Sequence, residues 1–246
     1  MTFIPSCDNR EDAIRSLSEI YSVSTEEIAR VLKTPELQEI SEVPPEINTT
    51  SFLFVVCHLL NASPGLEITH ACYYHSTSYN GCPSWFDDGL LGSSQGAERF
   101  LEKIAELIPS DKKDVAETVV KSILKLRSEC EGTTAEASGP YAWDTLAAAS
   151  SNPSAVRYRV PEAIRDLWSP SFYGTGGLVD LSAVIQERLK PVVVKFKGEI
   201  SHIDNYCISL WAYLLSDDDE RHLIHSFRGN GQTISKEDIV ALIDVS

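Results

Sequence analysis

The sequence predicts an α+β fold behind a small helical N-terminal section, and three observations carry that expectation. Apolar residues recur at helical spacing over the first 33 residues, and again from Phe100 to Leu126. Two stretches, residues 66–77 and 191–196, are rich in β-branched and aromatic residues and read as strands. Of the 246 residues, 43% are hydrophobic, 9% aromatic and 23% charged, the make-up of a chain that buries a core. The apolar run ends at residues 61–65, so the expected division is a helical section, 1–63, and a main domain, 64–246.

Each element has its own signal. Ile14, Leu17 and Tyr21 form one helical stripe, and Ile28, Val31 and Leu32 a second. Between them, Ser24-Thr25-Glu26-Glu27 spells a capping box, in which serine and glutamate each satisfy a free amide at the helix start. Pro35 is expected to end the second helix, and residues 43–50, with Pro44 and Pro45, form the best linker. Residues 52–60 are apolar enough to be a buried helix or a strand. After the strand at 66–77, Gly81 and Pro83 mark a turn. Two helices follow, one with Phe100, Leu101, Ile104 and Leu107, the other with Val115, Val119, Ile123 and Leu126. Another carries Leu181, Val184, Ile185 and Leu189. Residues 206–215 suit a core element of either kind, and 222–227 a short strand. Gly229-Asn230-Gly231 reads as a turn, followed by a helix capped by Ser235 with Asp238 three residues on.

Charge narrows the partners. Lys and Arg total 21 against 36 Asp and Glu, a net charge of −15. Binding to phosphate backbones draws on clustered cations, so this balance argues against nucleic acid and against an anionic membrane surface. The first residues lack a basic stretch followed by a long apolar run. The chain is therefore expected to be cytoplasmic, or exported without a cleavable signal peptide. The six cysteines are scattered and form no Cys-x-x-Cys pair, and His222 and His225 would point to opposite faces of a strand, so no metal is expected.

The segment most informative about function is Tyr73-Tyr74-His75-Ser76-Thr77-Ser78, at a predicted strand end, followed by Asp87-Asp88-Gly89-Leu90-Leu91. A histidine, a small residue and a threonine ahead of a Gly-Leu step resemble the first motif of ADP-ribosyltransferases of the diphtheria-toxin and poly(ADP-ribose) polymerase type. Ser138-Gly139-Pro140-Tyr141-Ala142-Trp143 resembles the opening of that family's second motif, and residues 146–149 the Ala-rich step after it. Residues 191–196 look like a later strand, and 231–239, GQTISKEDI, like the closing segment of bacterial members. The similarity runs in order over residues 66–246.

That resemblance implies a split β-sheet core with inserted helices. It also implies NAD as substrate, no metal, and transfer of ADP-ribose to a protein or small-molecule acceptor by a toxin- or effector-like enzyme. By the resemblance, the nicotinamide lies against the Tyr141 ring, joined by Tyr158. His75 bonds the adjoining ribose, and Ser76 and Thr77 complete the NAD-binding strand. Cleaving the glycosidic bond develops positive charge on the ribose, which a fixed carboxylate or amide stabilises. The family's glutamate has no obvious counterpart here. Gln232 stands in the right place and Glu199 has the right charge, with His225 and Glu220 as further alternatives. The residue after His75 is serine where the family usually has glycine. Since the pyrophosphate of NAD is anionic, Arg157, Arg159 and Arg165, clustered after the Tyr141 segment, are the expected place for a local cationic site.

Other readings compete. A degenerate member of the same fold would bind a partner without turnover. Residues 17–32, LSEIYSVSTEEIARVL, resemble a helix-turn-helix, though Arg30 and Lys33 are offset by Glu26 and Glu27. Cys57, Cys72 or Cys82 with His58 or His75 would make a thiol hydrolase. In the plainest reading, His75 is a hydrogen-bonded histidine at the core's rim and Tyr141 a packed aromatic. Gly174-Thr175-Gly176-Gly177 is then a loop without the dinucleotide fingerprint.

Overall fold

A computed structural model describes residues 3–45, 47–131, 139–151, 157, 159–169, 179–216 and 227–245. Helices and strands are both present, as an α+β fold requires. The helices are α1 (Arg10–Tyr21), α2 (Thr25–Val31), α3 (Pro35–Ser41), α4 (Thr49–Leu60), α5 (Ser93–Lys103), α6 (Lys113–Glu131), α7 (Leu146–Ser151), α8 (Glu162–Arg165), α9 (Ser182–Arg188) and α10 (Ile203–Leu215). The strands are β1 (His70–Tyr79), β2 (Tyr141–Ala142), β3 (Lys190–Glu199), β4 (Phe227–Arg228) and β5 (Ile239–Asp244).

One sheet has the order β1-β3-β5, and β2 pairs with β4. β3 runs antiparallel to both neighbours. Ile200, just past its end, donates to the Thr69 carbonyl before β1 (2.9 Å), and Val245, past β5, donates to Pro191 at its start (3.4 Å).

The chain forms two compact units. Unit 1 comprises Met1–His75, Ala142–Ala155 and Lys195–Phe227; unit 2 comprises Ser76–Tyr141, Val156–Val194 and Arg228–Ser246. The division falls within β1 after His75 and within β3 after Val194.

Unit 1 is helical on one side. α1 packs on α2 and α10, and α4 packs on α2, α3 and α10. Leu17, Ile20, Ile28, Val31, Phe52, Val56 and Trp211 are fully buried there; a buried Leu or Ile stabilises by about 2 kcal/mol. Tyr21 meets Trp211 edge-to-face at 6.4 Å. The capping box forms as written: Ser24 Oγ accepts from Glu27 N, and Glu27 accepts from Ser24 N at 2.9 Å. On the strands, Tyr73 gathers Phe196, Tyr206 and Phe227 around its ring, with centroids 6.0, 5.9 and 4.6 Å away. Gly198 leaves room for this cluster, because a Cβ there would run into Phe227 and Tyr73.

Unit 2 packs α5, α6 and α8 together. Arg127 on α6 holds α8 by binding Glu162 at 2.9 Å and the buried Asp166 at 2.8 Å. Trp85 meets Phe100 edge-to-face at 5.9 Å, with the Lys103 ammonium 5.4 Å from the indole centre.

Several expectations are corrected. Pro35 does not merely end α2; it opens α3 at the first helical position, where its missing N–H costs nothing. The linker expected at 43–50 falls between α3, which ends at Ser41, and α4, which begins at Thr49 and takes its last two residues. The stripe on α6 is rotated: Ala116, Val120 and Ile123 are buried, whereas Val115 and Leu126 are exposed. His75 lies within β1, which continues to Tyr79. Ser235 precedes a single turn, Lys236–Asp238, and β5 replaces the expected helix because the following IVALID is β-branched and apolar. Residues 52–60 and 206–215, open between two states, are helical. Of the strand expected at 222–227, only Phe227 lies among the described residues.

Candidate functional site

Three of the stretches that carry the family resemblance, the Gly89-Leu90 step, Gly139-Pro140 and the closing segment, meet through main-chain hydrogen bonds inside unit 2. Leu90 N donates to Ile234 O and Ile234 N to Leu90 O, both at 2.9 Å. Gly231 N donates to Gly139 O at 2.9 Å, and Gly229 N to Pro140 O at 3.0 Å. The Gly-Leu step, the Gly-Pro-Tyr segment and the closing segment therefore form one junction. Glycine makes it possible. Gly89 has φ +76°, and a Cβ there would collide with the Ile234 carbonyl oxygen. Gly139 has φ +74°, with Ser93 Oγ 2.5 Å from where its Cβ would sit. L-residues with side chains rarely adopt either conformation.

The individual candidates are placed as follows. Ser76 and Thr77 are buried in the unit 2 half of β1. Ser76 Oγ has no hydrogen-bond partner among the described residues. Tyr141 opens β2, half-buried, directly after the Gly139-Pro140 pair of the junction. Gln232 is exposed in the closing turn, its N–H donating to Gly229 O at 2.9 Å. His75, half-buried, and Glu199, exposed at the end of β3, belong to unit 1. Glu199 engages Tyr73 through its main chain, its carbonyl accepting from the phenol at 3.4 Å. Tyr158, His225, Glu220 and the Gly174–Gly177 segment lie outside the described residues. Within unit 2, then, the fold brings Tyr141 beside the turn that holds Gln232.

The three arginines differ. Arg165 bonds Glu162 at 3.4 Å and the Arg157 carbonyl at 3.1 Å, so it is engaged in holding α8. Arg157 is exposed. Arg159 is half-buried, and its Nε is buried with no hydrogen-bond partner among the described residues.

Unit 1 contains a polar cluster that sequence reasoning missed. The Lys195 ammonium sits 2.9 and 2.7 Å from the two Asp8 oxygens. Its side chain is 11% exposed against 39% for Asp8. The Tyr74 hydroxyl donates to Asp8 Oδ1 at 2.6 Å and accepts from Cys7 N at 2.8 Å. Burial, with that donation to a carboxylate, pushes the Tyr74 phenol far above its usual range. Nearby, Asp12 accepts from the Ser6 hydroxyl and from Asp8 N, and pairs with Arg15. Burial alone would raise its carboxyl, but Ser6, the Asp8 amide, Arg15 and Lys195 together lower it. A lysine inside the apolar strand PVVVKF was the one legible signal, because a buried lysine needs a partner. Asp8, nearly two hundred residues away in sequence, could not have been named.

The buried thiols are poorly set up as nucleophiles. Burial drives Cys7 and Cys207 upward and Cys72 to about 11, so they stay protonated at neutral pH. Among the described residues Cys82 alone is lowered, by hydrogen bonds from Ser84, and it is exposed. Among the described residues, no three His, Cys, Asp or Glu side chains group to hold a metal, and no helix is long and apolar enough to cross a membrane. No family model, curated protein or solved structure matches the chain.

Proposed function

We propose that the chain is an NAD-dependent ADP-ribosyltransferase, with the family's split-sheet core, that modifies a protein or small-molecule acceptor. The observation that carries this reading is the junction in unit 2. Three short stretches among those that resemble one family's motifs, far apart in sequence, are joined by main-chain hydrogen bonds from the closing turn and segment to each of the other two, and Gly89 and Gly139 there tolerate no Cβ. Arg159, whose Nε has no hydrogen-bond partner among the described residues, adds a cation suited to a pyrophosphate in an otherwise acidic chain.

On this reading His75 bonds the ribose beside the nicotinamide, the Ser76 and Thr77 strand holds the nicotinamide end, and the Tyr141 ring stacks on it. Tyr158 is a second aromatic for the same task. As the glycosidic bond breaks, positive charge grows on the ribose. Glu199 or Gln232 supplies the group that fixes the ribose hydroxyl. A second reading, a degenerate member that binds without turnover, is favoured by one feature: the residue in the closing turn is the neutral Gln232.

Incubating the protein with NAD labelled in the adenine and nicotinamide portions tests both. A transferase releases nicotinamide, and His75→Ala or Tyr141→Ala lowers that release by roughly 100-fold. Saturable binding without release establishes the degenerate reading. Neither binding nor release removes both.

A further inference from the structure

We propose that the outer face of α4, with the connection from α3, is a docking surface for a cationic amphipathic helix of another protein. This goes beyond the transferase reading and does not rest on it.

The argument begins with α4 itself. Its inner line, Phe52, Val56 and Leu60, is buried in unit 1. A surface helix so packed needs a polar outer face. Here the opposite side carries Phe54, 74% exposed, while Ile47, 78% exposed, precedes the helix and Val43, 47% exposed, lies between α3 and α4.

Charge selects the occupant. Residues 34–60 contain four glutamates and no lysine or arginine. Glu36, Glu39 and Glu42 are exposed on α3 and at its end, and α3 packs against α4. A second copy of this chain would set one acidic rim against another, with −15 on each molecule. An anionic membrane would be repelled for the same reason. A helix with apolar anchors flanked by lysines matches both the exposed apolar residues and the glutamates of α3 and its end.

The test uses the full chain and a fluorescent synthetic Leu/Lys amphipathic helix, followed by anisotropy. The wild type binds; Phe54→Ser weakens binding roughly tenfold. Val240→Ser, an exposed apolar position in unit 2, leaves it unchanged. Glu39→Gln with Glu42→Gln weakens binding and flattens its salt dependence. Circular dichroism checks that each variant is folded. Equal binding by wild type and Phe54→Ser overturns the proposal in favour of general acidity, and no binding by wild type overturns it outright. So does a dimer in sedimentation that Phe54→Ser dissolves, which assigns the face to a second copy. Capture by phosphatidylcholine vesicles that Phe54→Ser abolishes overturns it in favour of a membrane.

Discussion

Unit 1 adds a buried, charged side-chain cluster to the main-chain bonds that hold its first residues, from Cys72 N to Pro5 O and Leu146 N to Cys7 O, whereas one junction in unit 2 rests on the main chain and its glycines. In unit 1 the residues before α1 are held by Asp8 on Lys195, by Tyr74 on Asp8, and by Ser6 and Ser16 bonding each other (Ser6 N to Ser16 Oγ at 2.9 Å and Ser16 Oγ to Ser6 O at 2.7 Å). In unit 2 the junction of residues 89–92, 139–140 and 229–234 is amide to carbonyl, and its specificity lies in what glycine lacks. A side-chain joint depends on charge and pairing, so pH and isosteric substitutions reach it. A main-chain joint is indifferent to charge but fails when a single methyl group is added.

The largest expected effect tests the charge side of that contrast. Asp8→Ala strands the buried Lys195 ammonium, and breaking such a pair costs about 3 kcal/mol, less than for a fully buried pair because Asp8 is partly exposed. Urea unfolding measures it. Adding Lys195→Met to Asp8→Ala should recover most of the loss. If the double variant is no more stable than the single one, the joint is held by something other than charge.

Next comes the glycine side. Gly89→Ala meets both a positive φ and the Ile234 carbonyl, and should lose about 2 kcal/mol. Hydrogen exchange should show the Leu90 and Ile234 amides losing protection together. Retained protection at both would mean the junction adapts, and the case for its specificity would weaken.

A smaller effect distinguishes the units by pH. The Asp12 carboxyl is held below its ordinary value of 3.8. A lowered acid stabilises the folded state above its unfolded value, and that contribution vanishes as pH falls through the folded one. Wild type should therefore exceed Asp12→Asn in melting temperature at neutral pH, by an amount equivalent to about 1 kcal/mol. Below pH 3.8 the gap should close; a gap that stays constant would refute the linkage. The smallest effect has the opposite sign. Gly96 lies inside α5 with its nearest would-be contact at 3.4 Å, so Gly96→Ala should stabilise by about 0.5 to 1 kcal/mol in thermal melts.

Local signals were legible where local physics decides. The Ser24–Glu27 capping box, the helices on either side of it and the Gly229–Gly231 turn are readable because neighbours within a few residues determine them. Strand β3 was readable for another reason, its run of β-branched residues. Ends and exceptions were not. Pro35 can stop one helix or start the next, and only the packing of Leu37 decides. IVALID at 239–244 carries strand propensity, but a serine cap signal just before it pointed to a helix, and pairing with β3 overrides that signal. Of the candidate site, Tyr141 and Gln232 were named and lie in neighbouring segments. Asp8 and Tyr74 were not named, since an exposed-looking aspartate and a strand tyrosine carry no mark of their partners.

By itself, the sequence determined the mixture of helix and strand, the Ser24–Glu27 capping box, the Gly229–Gly231 turn and the net charge of −15. These depend on backbone sterics, side-chain spacing and net charge, all of which act over short range or in bulk. Tertiary structure alone decided that Lys195 is neutralised by Asp8, that Gly89 and Gly139 admit the closing segment, and that α4 leaves Phe54 in water. Each is a contact between residues far apart in the chain, and its energy exists only once burial has removed the competing water.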